Sequence, residues 1–483
     1  MLFNSYEFIF LFMPATVIGF ALFSRLSHYT ALLWLTAASF FFYVSWNPQS
    51  SWVLIVSIAF NFSFGVAIRR SKGSTARLYL ICGVAADLLL LAIFKYAGFA
   101  IDTANWVTGS HLARPMVELP VGISFYTFTQ IAYLADTYRR QISDHDPLRY
   151  ALFVTYFPHL VAGPIIHHRP VMQQLADPKI ARLGGENWII GLGFFSIGLA
   201  KKLLLADPLG TIASPLYAAA QTSPLSMVAG WVAAGAYTFQ LYFDFSGYSD
   251  MAVGLSLLFG VHIPINFLSP YKAGSIIEFW RTWHISLSTF LKDYLYIPLG
   301  GNRRGTRRRY LNLFVTMVLG GLWHGAGWNY IAWGALHGLY LLVNHWWREI
   351  VGIALWRPLA HLLTFLAVMV GWVFFRSGDC ATALGILKSM ASLSELQEWA
   401  WAGDANLKTT NTWFAVGMVS LAAAIAFVAP NSLTMAATLK DGMDQLRDNG
   451  RKVVFGWLAV YGLLLGISIV FIGRASPFLY FQF

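Results

Sequence analysis

The feature that most constrains this chain is the recurrence of long, almost uncharged apolar runs along its whole length. Crossing roughly 30 Å of hydrocarbon takes about 20 helical residues, and a backbone in lipid must satisfy its own hydrogen bonds. The runs therefore predict an all-α, polytopic integral membrane protein with about 11–13 transmembrane helices. The predicted spans are approximately residues 5–24, 31–46, 52–68, 78–95, 119–136, 188–205, 226–243, 310–323, 328–346, 358–376, 413–430 and 453–473.

The charges agree with a membrane protein and argue against nucleic-acid binding. Only 11% of the 483 residues are charged, against about 25% in soluble domains. The net charge of +11 lies in loops beside the spans, and such loops usually face the cytoplasm. This predicts an outside N-terminus, while the orientation of the middle of the chain stays open. The basic loops are 69–77, 138–149, 302–309, 346–357 and 446–452.

The remaining segments divide the chain unevenly. Residues 119–350 are dense in Gly, Pro, His, Trp and charge, so we expect them to form the catalytic core of one membrane domain spanning 1–483. Residues 377–412 predict a small outside cap, and 431–452 predict either an amphipathic cytoplasmic helix or a solvated connector. The shorter apolar pieces that Pro, Gly or charge interrupts are predicted to be re-entrant or interfacial. They are 150–166, 250–262 and 276–297.

The two ends of the chain and its cysteines add little chemistry. No basic segment precedes the first apolar run, which predicts a retained first helix rather than a cleaved signal peptide. Cys82 and Cys380 form no metal or redox motif, so we expect no metal site and no bound cofactor. The chain also lacks a serine elbow, HExxH, a P-loop and GxGxxG after a strand, which excludes several familiar chemistries.

His324 is the first candidate for a functional residue, because titratable side chains inside a membrane usually face the protein interior or a cavity. A helix over 310–323 that starts from the basic Arg307–Arg309 anchor would place His324 roughly 22 Å from that anchor. Gly325 and Gly327 follow and allow the backbone to break close to a ligand. Trp323 and Asn329 flank the same position. The alternative is a structural histidine bonded to a neighbouring helix.

A second polar stretch precedes it, in residues 278–305. At helical spacing Glu278, Arg281 and His284 lie within one turn of each other, which predicts a half-buried polar network. The alternative for the first two is a supporting ion pair between Glu278 and Arg281.

Two carboxylates in 237–254 are a third candidate. Asp244 and Asp250 surround a predicted Ser-Gly turn. They either orient a histidine or bind a substrate hydroxyl, or else Ser246 or Asp250 caps a helix.

A neutral imidazole in a low-dielectric site suits one kind of chemistry. Burial disfavours the charged ring and keeps it available to take a proton from a hydroxyl near neutral pH. General-base help of this kind contributes about 10²–10⁴-fold in rate. We therefore expect His324 to serve as a base.

Several segments resemble, in order and spacing, the bacterial membrane-bound O-acyltransferases of the alginate O-acetyltransferase type. The resemblance covers essentially the whole chain, and the blocks around His284 and His324 are specific to that family. The segments are PVGISFYTFTQIAYLADTYRR, YFPHLVAGPI, YTFQLYFDFSGYSDMAVG, FWRTWHISLSTFLKDYLYIPLGGNRRG, GGLWHGAGWNYIAWGALHG and the terminal SPFLYFQF.

The resemblance implies a multi-helix fold with a tunnel or funnel, in which an acyl group from a cytoplasmic thioester reaches an acceptor hydroxyl. The family's essential histidine maps onto His324 and its second histidine onto His284, while His337 is expected to pack. Relatives act on alginate, cellulose, other exopolysaccharides, peptidoglycan or teichoic acid, so the acceptor stays open. The versions LPVGISFYTFT and PLGGNRRG favour a polysaccharide acetylase. A bacterial inner-membrane location follows from the same resemblance.

From the candidate residues and the family resemblance together, we expect acetyl-CoA to bind on the cytoplasmic side as the acetyl donor. Arg303, Arg304 and Arg307 to Arg309 either meet its phosphates or serve as topology anchors. His324 deprotonates the hydroxyl, and His284 positions the thioester or stabilises the oxyanion. Arg281, Asp244, Trp323 and Asn329 are further candidates for substrate binding.

The acceptor hydroxyl and the class of protein keep alternatives at this stage. The hydroxyl belongs to an exported polysaccharide or to a periplasmic partner protein that completes the transfer. A glycan exporter and a non-catalytic scaffold for polysaccharide secretion are the rival classes. The chain shows no internal repeat of the kind that many transporters carry, which weighs against the exporter.

Overall fold

The computed structural model of this protein describes residues 1–115, 117–142, 144–181, 184–392, 412–444, 450–474 and 478–479. Within them the regular elements are helices joined by turns and irregular segments. The prediction of an all-α protein is therefore confirmed.

The first part of the chain forms twelve α-helices, and a π-helical turn directly follows the fourth and the tenth of them. They are α1 (Met13–Leu26), α2 (His28–Trp46), α3 (Ser51–Arg70), α4 (Gly73–Leu91), α5 (Ala97–Thr108), α6 (Ile123–Tyr138), α7 (Pro147–Thr155), α8 (Phe157–Leu160), α9 (His168–Ala176), α10 (Gly185–Ala200), α11 (Asp207–Ala219) and α12 (Met227–Leu258).

The later part carries the candidate site. Its helices are α13 (Ile276–Thr282), α14 (Ile285–Leu291), α15 (Gly305–His324), α16 (Trp328–Trp346), α17 (Arg357–Arg376), α18 (Cys380–Ala391), α19 (Thr412–Val428), α20 (Ser432–Asp444) and α21 (Gly450–Phe471).

Seven helical stretches of the described residues are long and apolar enough to cross a membrane, judged by length and composition alone. An eighth is added if α19 and α20, bent by 52°, count as one span. The polytopic prediction is confirmed. The other four predicted spans, 119–136, 226–243, 310–323 and 328–346, correspond to α6, α12, α15 and α16. The seven stretches are Phe8–Leu26, His28–Trp46, Ser51–Arg70, Gly73–Thr108, Gly185–Ala219, Arg357–Arg376 and Lys452–Phe471.

The chain divides into two compact units. Unit 1 comprises Met1–Ser196, Tyr248–Pro264 and Leu439–Tyr461. An aromatic cluster fills part of its core, where the ring of Phe42 lies 5.7 Å from that of Phe3 and 5.6 Å from that of Phe157. A buried polar pair joins α3 to α4, because the Asn61 side-chain amide donates to Asp87 at 2.9 Å.

Unit 2 comprises Ile197–Gly247, Ile265–Thr438 and Gly462–Phe483. Its central feature is the antiparallel hairpin of α15 and α16. A Cβ atom on Gly334 would lie 2.4 Å from the carbonyl oxygen of Met317, so only glycine permits this backbone approach. The close packing holds the far end of α15, where His324 lies, against α16.

Two local expectations were wrong for one reason. Helix α12 does not end near 243 but runs unbroken to Leu258, so 250–262 is not a re-entrant piece and neither Ser246 nor Asp250 is a helix cap. The Ser-Gly pair serves packing instead of a turn. A Cβ on Gly247 would lie 2.7 Å from the carbonyl oxygen of Gly198, so the glycine lets two helices meet.

The other interrupted segments are broken as predicted. Residues 150–166 contain α7 and α8, with non-helical Tyr156 between them, and 276–297 contain α13, α14 and a π-helical turn. In 431–452 the helix α20 is present, and residues 445–449 lie outside the described residues. Of the predicted cap, α18 is described and 393–411 are not.

Candidate active site

His324 is the last residue of α15 and lies in an aromatic enclosure, with 7% of its surface exposed. Its ring centroid lies 4.8 Å from that of Trp323, 5.1 Å from that of Trp333 and 5.2 Å from that of Phe375. These rings come from α15, α16 and α17. The imidazole is therefore enclosed by aromatic rings from three helices, and its role as a base stays a prediction.

The turn after His324 explains the glycines of the motif. Gly325 is extended, and a Cβ there would lie 2.1 Å from the ring of Tyr330, the third residue of α16. The chain reverses within Gly325–Gly327 and enters α16 at Trp328. The tight reversal brings Trp333, one helical turn beyond Tyr330, back against the imidazole.

His284 occupies the break between α13 and α14 and is 1% exposed. Its backbone is left-handed, with φ of 42° and ψ of 55°, a conformation that costs a non-glycine residue about 1–2 kcal/mol. Asn266 holds the break, because its carbonyl oxygen accepts from the Ile285 amide at 3.1 Å and its side-chain oxygen from the Ser286 amide at 3.2 Å. Strain of this kind concentrates at functional sites.

The predicted geometry around His284 therefore needs a correction. Glu278 and Arg281 share α13, but His284 lies beyond its end and does not continue their helical face. No ion pair joins Glu278 to Arg281 within the described part of the chain. Glu278 instead accepts from the Gly274 amide at 2.9 Å, and Arg281 is exposed. The network predicted for these three residues is absent there because the helix stops first.

Trp323 brings the two histidines into one site. Its ring lies 4.8 Å from that of His324 and 6.5 Å from that of His284, and it is buried. The edge of His284 also meets Phe245 of α12 at 4.6 Å and 90°. Residues 40 positions apart in sequence thus flank a single indole, within unit 2.

Asp244 lies next to Phe245 but belongs to a buried ion network. Its carboxylate accepts from Lys202 at 2.7 Å, and the same ammonium group meets Asp207 at 2.7 Å. The second carboxylate oxygen of Asp244 accepts from the Leu479 amide at 2.9 Å. Asp244 therefore contacts neither histidine directly, and it stabilises the helix that carries Phe245. Sequence reasoning missed Lys202 because 42 residues separate the partners.

Asn329 and the arginines of the 302–309 loop are also not in contact with the imidazoles. The Asn329 side-chain amide donates to the Ser377 carbonyl at 2.8 Å, which ties the start of α16 to the end of α17, near Phe375. Arg303 and Arg304 are exposed at the other end of α15. Arg309 pairs with Glu349, and this hydrogen bond is the main reason that the pKa of Glu349 lies below its usual value.

His337 is fully buried on α16, among Phe279, Trp280, Trp333 and Trp372. A packing role was expected for it. Neither of its ring nitrogens has a hydrogen-bond partner among the described residues. Within those residues there is also no group of three or more His, Cys, Asp or Glu side chains arranged to hold a metal ion.

A profile of the membrane-bound O-acyltransferase family matches residues 20–377, from the second half of α1 to the end of α17, and this range includes both candidate histidines. The chain belongs to the membrane-bound O-acyltransferase family. The family resemblance expected from the motifs is thereby confirmed, and the protein is an acyltransferase.

Several bacterial acyltransferases are similar in sequence to this chain. The peptidoglycan O-acetyltransferase of Helicobacter pylori is 37% identical over 516 aligned positions, covering 100% of this chain and 98% of the relative. The probable alginate O-acetylase of Pseudomonas aeruginosa is 42% identical over 82% of this chain and 76% of its own length. The teichoic acid D-alanyltransferase of Streptococcus thermophilus is 29% identical over 47% of this chain.

Proposed function

We propose that this membrane O-acetyltransferase moves an acetyl group from acetyl-CoA to a hydroxyl group of an exported polysaccharide, with His324 as the general base. The observation that carries the proposal is the placement of His324. The ring ends a helix that starts in a basic loop, and it is enclosed by aromatic side chains from three helices. The family membership supplies the reaction class.

The step balances as an acyl substitution. The acceptor oxygen attacks the thioester carbonyl carbon while His324 takes the hydroxyl proton, and a tetrahedral oxyanion forms. The C–S bond then breaks, the ester forms, and the imidazolium returns its proton to the leaving thiolate as free CoA thiol. No metal ion or redox partner is needed for this sequence. The chain supplies a base, an enclosure that limits water and a fixed geometry.

His284 is the second participant. It shares Trp323 with His324, and its left-handed backbone is held by Asn266. A strained residue that the surrounding structure over-determines is suited to hold a donor in one position. We assign His284 to the carbonyl oxygen of the thioester, where an N–H donor stabilises the oxyanion.

The acceptor in this proposal lies on the outer side of the bacterial cytoplasmic membrane. The probable alginate O-acetylases match at 39–42% identity, and alginate is a polysaccharide that exposes many hydroxyl groups. Peptidoglycan is the second candidate, because the peptidoglycan O-acetyltransferase matches from end to end while the alginate enzymes cover 82% of this chain. Transfer is either direct or passes through a serine of a periplasmic partner protein.

The test is acetyl transfer by the full chain purified in detergent, supplied with radiolabelled acetyl-CoA and a soluble hydroxyl acceptor. His324→Ala should reduce turnover by about 10²–10⁴-fold, since general-base catalysis contributes that much. His324→Gln keeps a polar side chain of similar size but has no basic nitrogen, so it should be equally inactive. The matched control is His262→Ala, which removes an exposed histidine of unit 1 and should leave turnover unchanged.

Each rival predicts another outcome. If the protein were a glycan exporter or a non-catalytic scaffold, the wild-type chain itself would release no acetyl group from acetyl-CoA. Unaltered turnover in a folded His324→Ala protein would remove His324 from the mechanism. Comparing the acetylation of exopolysaccharide and of peptidoglycan, by mass spectrometry of cells with and without the chain, distinguishes the two acceptors.

A further inference from the structure

Arg376, the last residue of α17, is a half-buried cation in unit 2, and no salt bridge of the described residues involves it. Its guanidinium lies over two tyrosine rings. The Cζ atom is 5.5 Å from the ring centroid of Tyr217 on α11 and 5.8 Å from that of Tyr237 on α12. One guanidinium N–H reaches the hydroxyl of Ser214 at 3.5 Å, which is long for a hydrogen bond. The recorded contacts of Arg376 are therefore with neutral groups.

The arginine–tyrosine cluster, which consists of Arg376, Tyr217 and Tyr237, contains three buried polar groups without a hydrogen-bond partner in the described part of the chain. They are Nε of the arginine and the two phenolic hydroxyls. The tyrosines are 3% and 0% exposed, and buried polar groups are normally hydrogen-bonded. A guanidinium has only donors and each hydroxyl can also donate, so an acceptor would satisfy all three. The positive charge favours an acceptor that is an anion.

The cluster lies beside the enclosure of His324. The ring of Phe375, the residue before Arg376, is 5.2 Å from the imidazole. The Asn329 side chain donates to the carbonyl oxygen of Ser377, the residue after Arg376, and so fixes the end of α17 against the start of α16. A ligand bound at Arg376 is therefore next to a residue that forms the enclosure.

The likeness of α17 to a membrane span indicates which side of the membrane the cluster faces. Arg357–Arg376 is long and apolar enough to cross a bilayer, which would place its two ends on opposite sides. Its first residue closes the basic loop 346–357, and loops rich in Lys and Arg usually face the cytoplasm. Arg376 then lies at the outer end. The acceptor in the proposed function comes from that side, and the acetyl donor comes from the other.

An open cavity of about 590 Å³ begins three residues after Arg376, between the end of α11 and α18. Its lining contains one anion and one cation, Asp379 and Lys388, and the carboxylate of Asp379 already accepts from the Thr382 amide at 2.7 Å. The volume is within the usual range of about 300–1,000 Å³ for small-ligand sites. The rest of the polar lining is uncharged, and its hydroxyl and amide groups suit the hydroxyl groups of sugars. These residues include Gln221, Thr222, Ser223, Thr382 and Ser389.

We infer that Arg376, with Tyr217 and Tyr237, binds a carboxylate of the acceptor glycan at the outer end of α17, while neighbouring sugar units occupy the cavity. The inference rests on the proposed function and narrows its acceptor to an acidic glycan, one whose sugar ring carries a carboxylate. In a uronate the carboxylate and the ring hydroxyls belong to one ring. A carboxylate held at Arg376 therefore directs a hydroxyl group toward the enclosure of His324, and Arg376 determines acceptor specificity without taking part in proton transfer.

Two tetrasaccharides that differ only in the carboxylate test the inference. They are a mannuronate tetramer and mannotetraose with the same linkage, and their binding is measured by titration calorimetry with the full chain in detergent and no acetyl-CoA. The wild type should bind the uronate about tenfold or more tightly than the neutral tetramer, as one charge-assisted hydrogen bond provides. Arg376→Gln should remove the difference by weakening uronate binding alone. Arg376→Lys keeps the charge and should retain part of the difference.

A purely structural role for Arg376 predicts other results. Tyr217→Phe/Tyr237→Phe removes the two hydroxyls and keeps both rings, so the cation–π contacts of the arginine persist. This double variant should bind the uronate at least about threefold more weakly and mannotetraose as the wild type does. Unchanged uronate affinity in the double variant overturns the inference. So does an equal loss of affinity for both tetramers in Arg376→Gln.

The matched control removes the same charge from the other end of the same helix. Arg357 is exposed there, and Arg357→Gln should leave both affinities unchanged. If Arg357→Gln weakens uronate binding as much as Arg376→Gln does, the attraction is a general effect of positive charge, and the inference is overturned.

Peptidoglycan is the other source of carboxylates, which its muropeptides carry on the peptide. Arg376-dependent binding of a soluble muropeptide, with no binding of the uronate tetramer, overturns the assignment to an acidic sugar ring. Failure of the proposed function looks different. Wild-type protein that binds the uronate through Arg376 but transfers no acetyl group to it from radiolabelled acetyl-CoA overturns the proposed function and leaves the binding site standing. Acetyl transfer with the same KM for both tetramers has the reverse meaning.

Discussion

Because the backbone at His284 is left-handed, two substitutions there can separate the effect of backbone strain on stability from the effect of losing the imidazole ring. With φ of 42° and ψ of 55°, any side chain with a Cβ atom is strained there by about 1–2 kcal/mol, whereas glycine is not. His284→Ala removes the ring and keeps the strain. His284→Gly removes the same ring contacts with Phe245 and Trp323 and also relieves the strain.

The difference in unfolding free energy between the alanine and glycine variants reports the contribution of the backbone alone. Both lose the aromatic contacts, which cost about 3 kcal/mol or more on truncation to alanine. Glycine gains about 1–2 kcal/mol from relief of strain and loses about 0.5–1 kcal/mol through the greater freedom of the unfolded chain. The glycine variant should therefore be more stable than the alanine variant by about 0.5–1 kcal/mol. In a chain of this length we expect an unfolding midpoint about 1–2 °C higher.

The assay is thermal unfolding of the purified full chain, followed by tryptophan fluorescence in one detergent, with acetyl transfer measured on the same samples. Both variants should lose transfer. The control pair uses Ala424 in the exposed interior of α19, where Ala424→Gly should lower the midpoint because glycine disfavours a right-handed helix by about 1 kcal/mol. A His284→Gly protein that melts at or below the His284→Ala protein would refute the reasoning about strain.

Two further pairs of substitutions test the packing and the ion pairs around the site. Lys202→Met should destabilise the protein by about 3–5 kcal/mol, since it leaves Asp244 buried without a cation. Asp244→Asn should cost less, because Lys202 keeps its other carboxylate; equal unfolding midpoints would contradict this order. Gly334→Ala should lower the midpoint by forcing α15 and α16 apart, at about 1–3 kcal/mol. Gly417→Ala, with open space around a helical glycine, should leave the midpoint unchanged or raise it.

Much of the helical framework follows from local pattern. The predicted spans 310–323 and 328–346 correspond closely to α15 and α16, because an apolar run bounded by charge on one side and glycine on the other has few alternatives in lipid. The position of His324 at a helix end followed from the same pattern. The predicted span 226–243 is too short, because the Ser-Gly pair does not form a turn and instead permits a close helix contact.

The partners of the polar residues did not follow from local pattern. Lys202 and Asp244 are 42 positions apart, and the amide that meets Asp244 from Leu479 is 235 positions away. The predicted ion pair between Glu278 and Arg281 was wrong although the two residues are close in sequence. Glu278 accepts from the Gly274 amide instead, and Arg281 is exposed. Spacing along a helix predicts proximity, but which groups pair depends on what packs across from them.

By itself the sequence determined that the chain spans a membrane as helices and that an imidazole ends a helix whose other end is a basic loop. These properties depend on hydrocarbon thickness and helical rise, which are local quantities. Only the tertiary structure decided that His284 and His324 flank one tryptophan and that Asp244 pairs with Lys202. Such contacts depend on the packing of distant segments, and no window along the chain contains both partners.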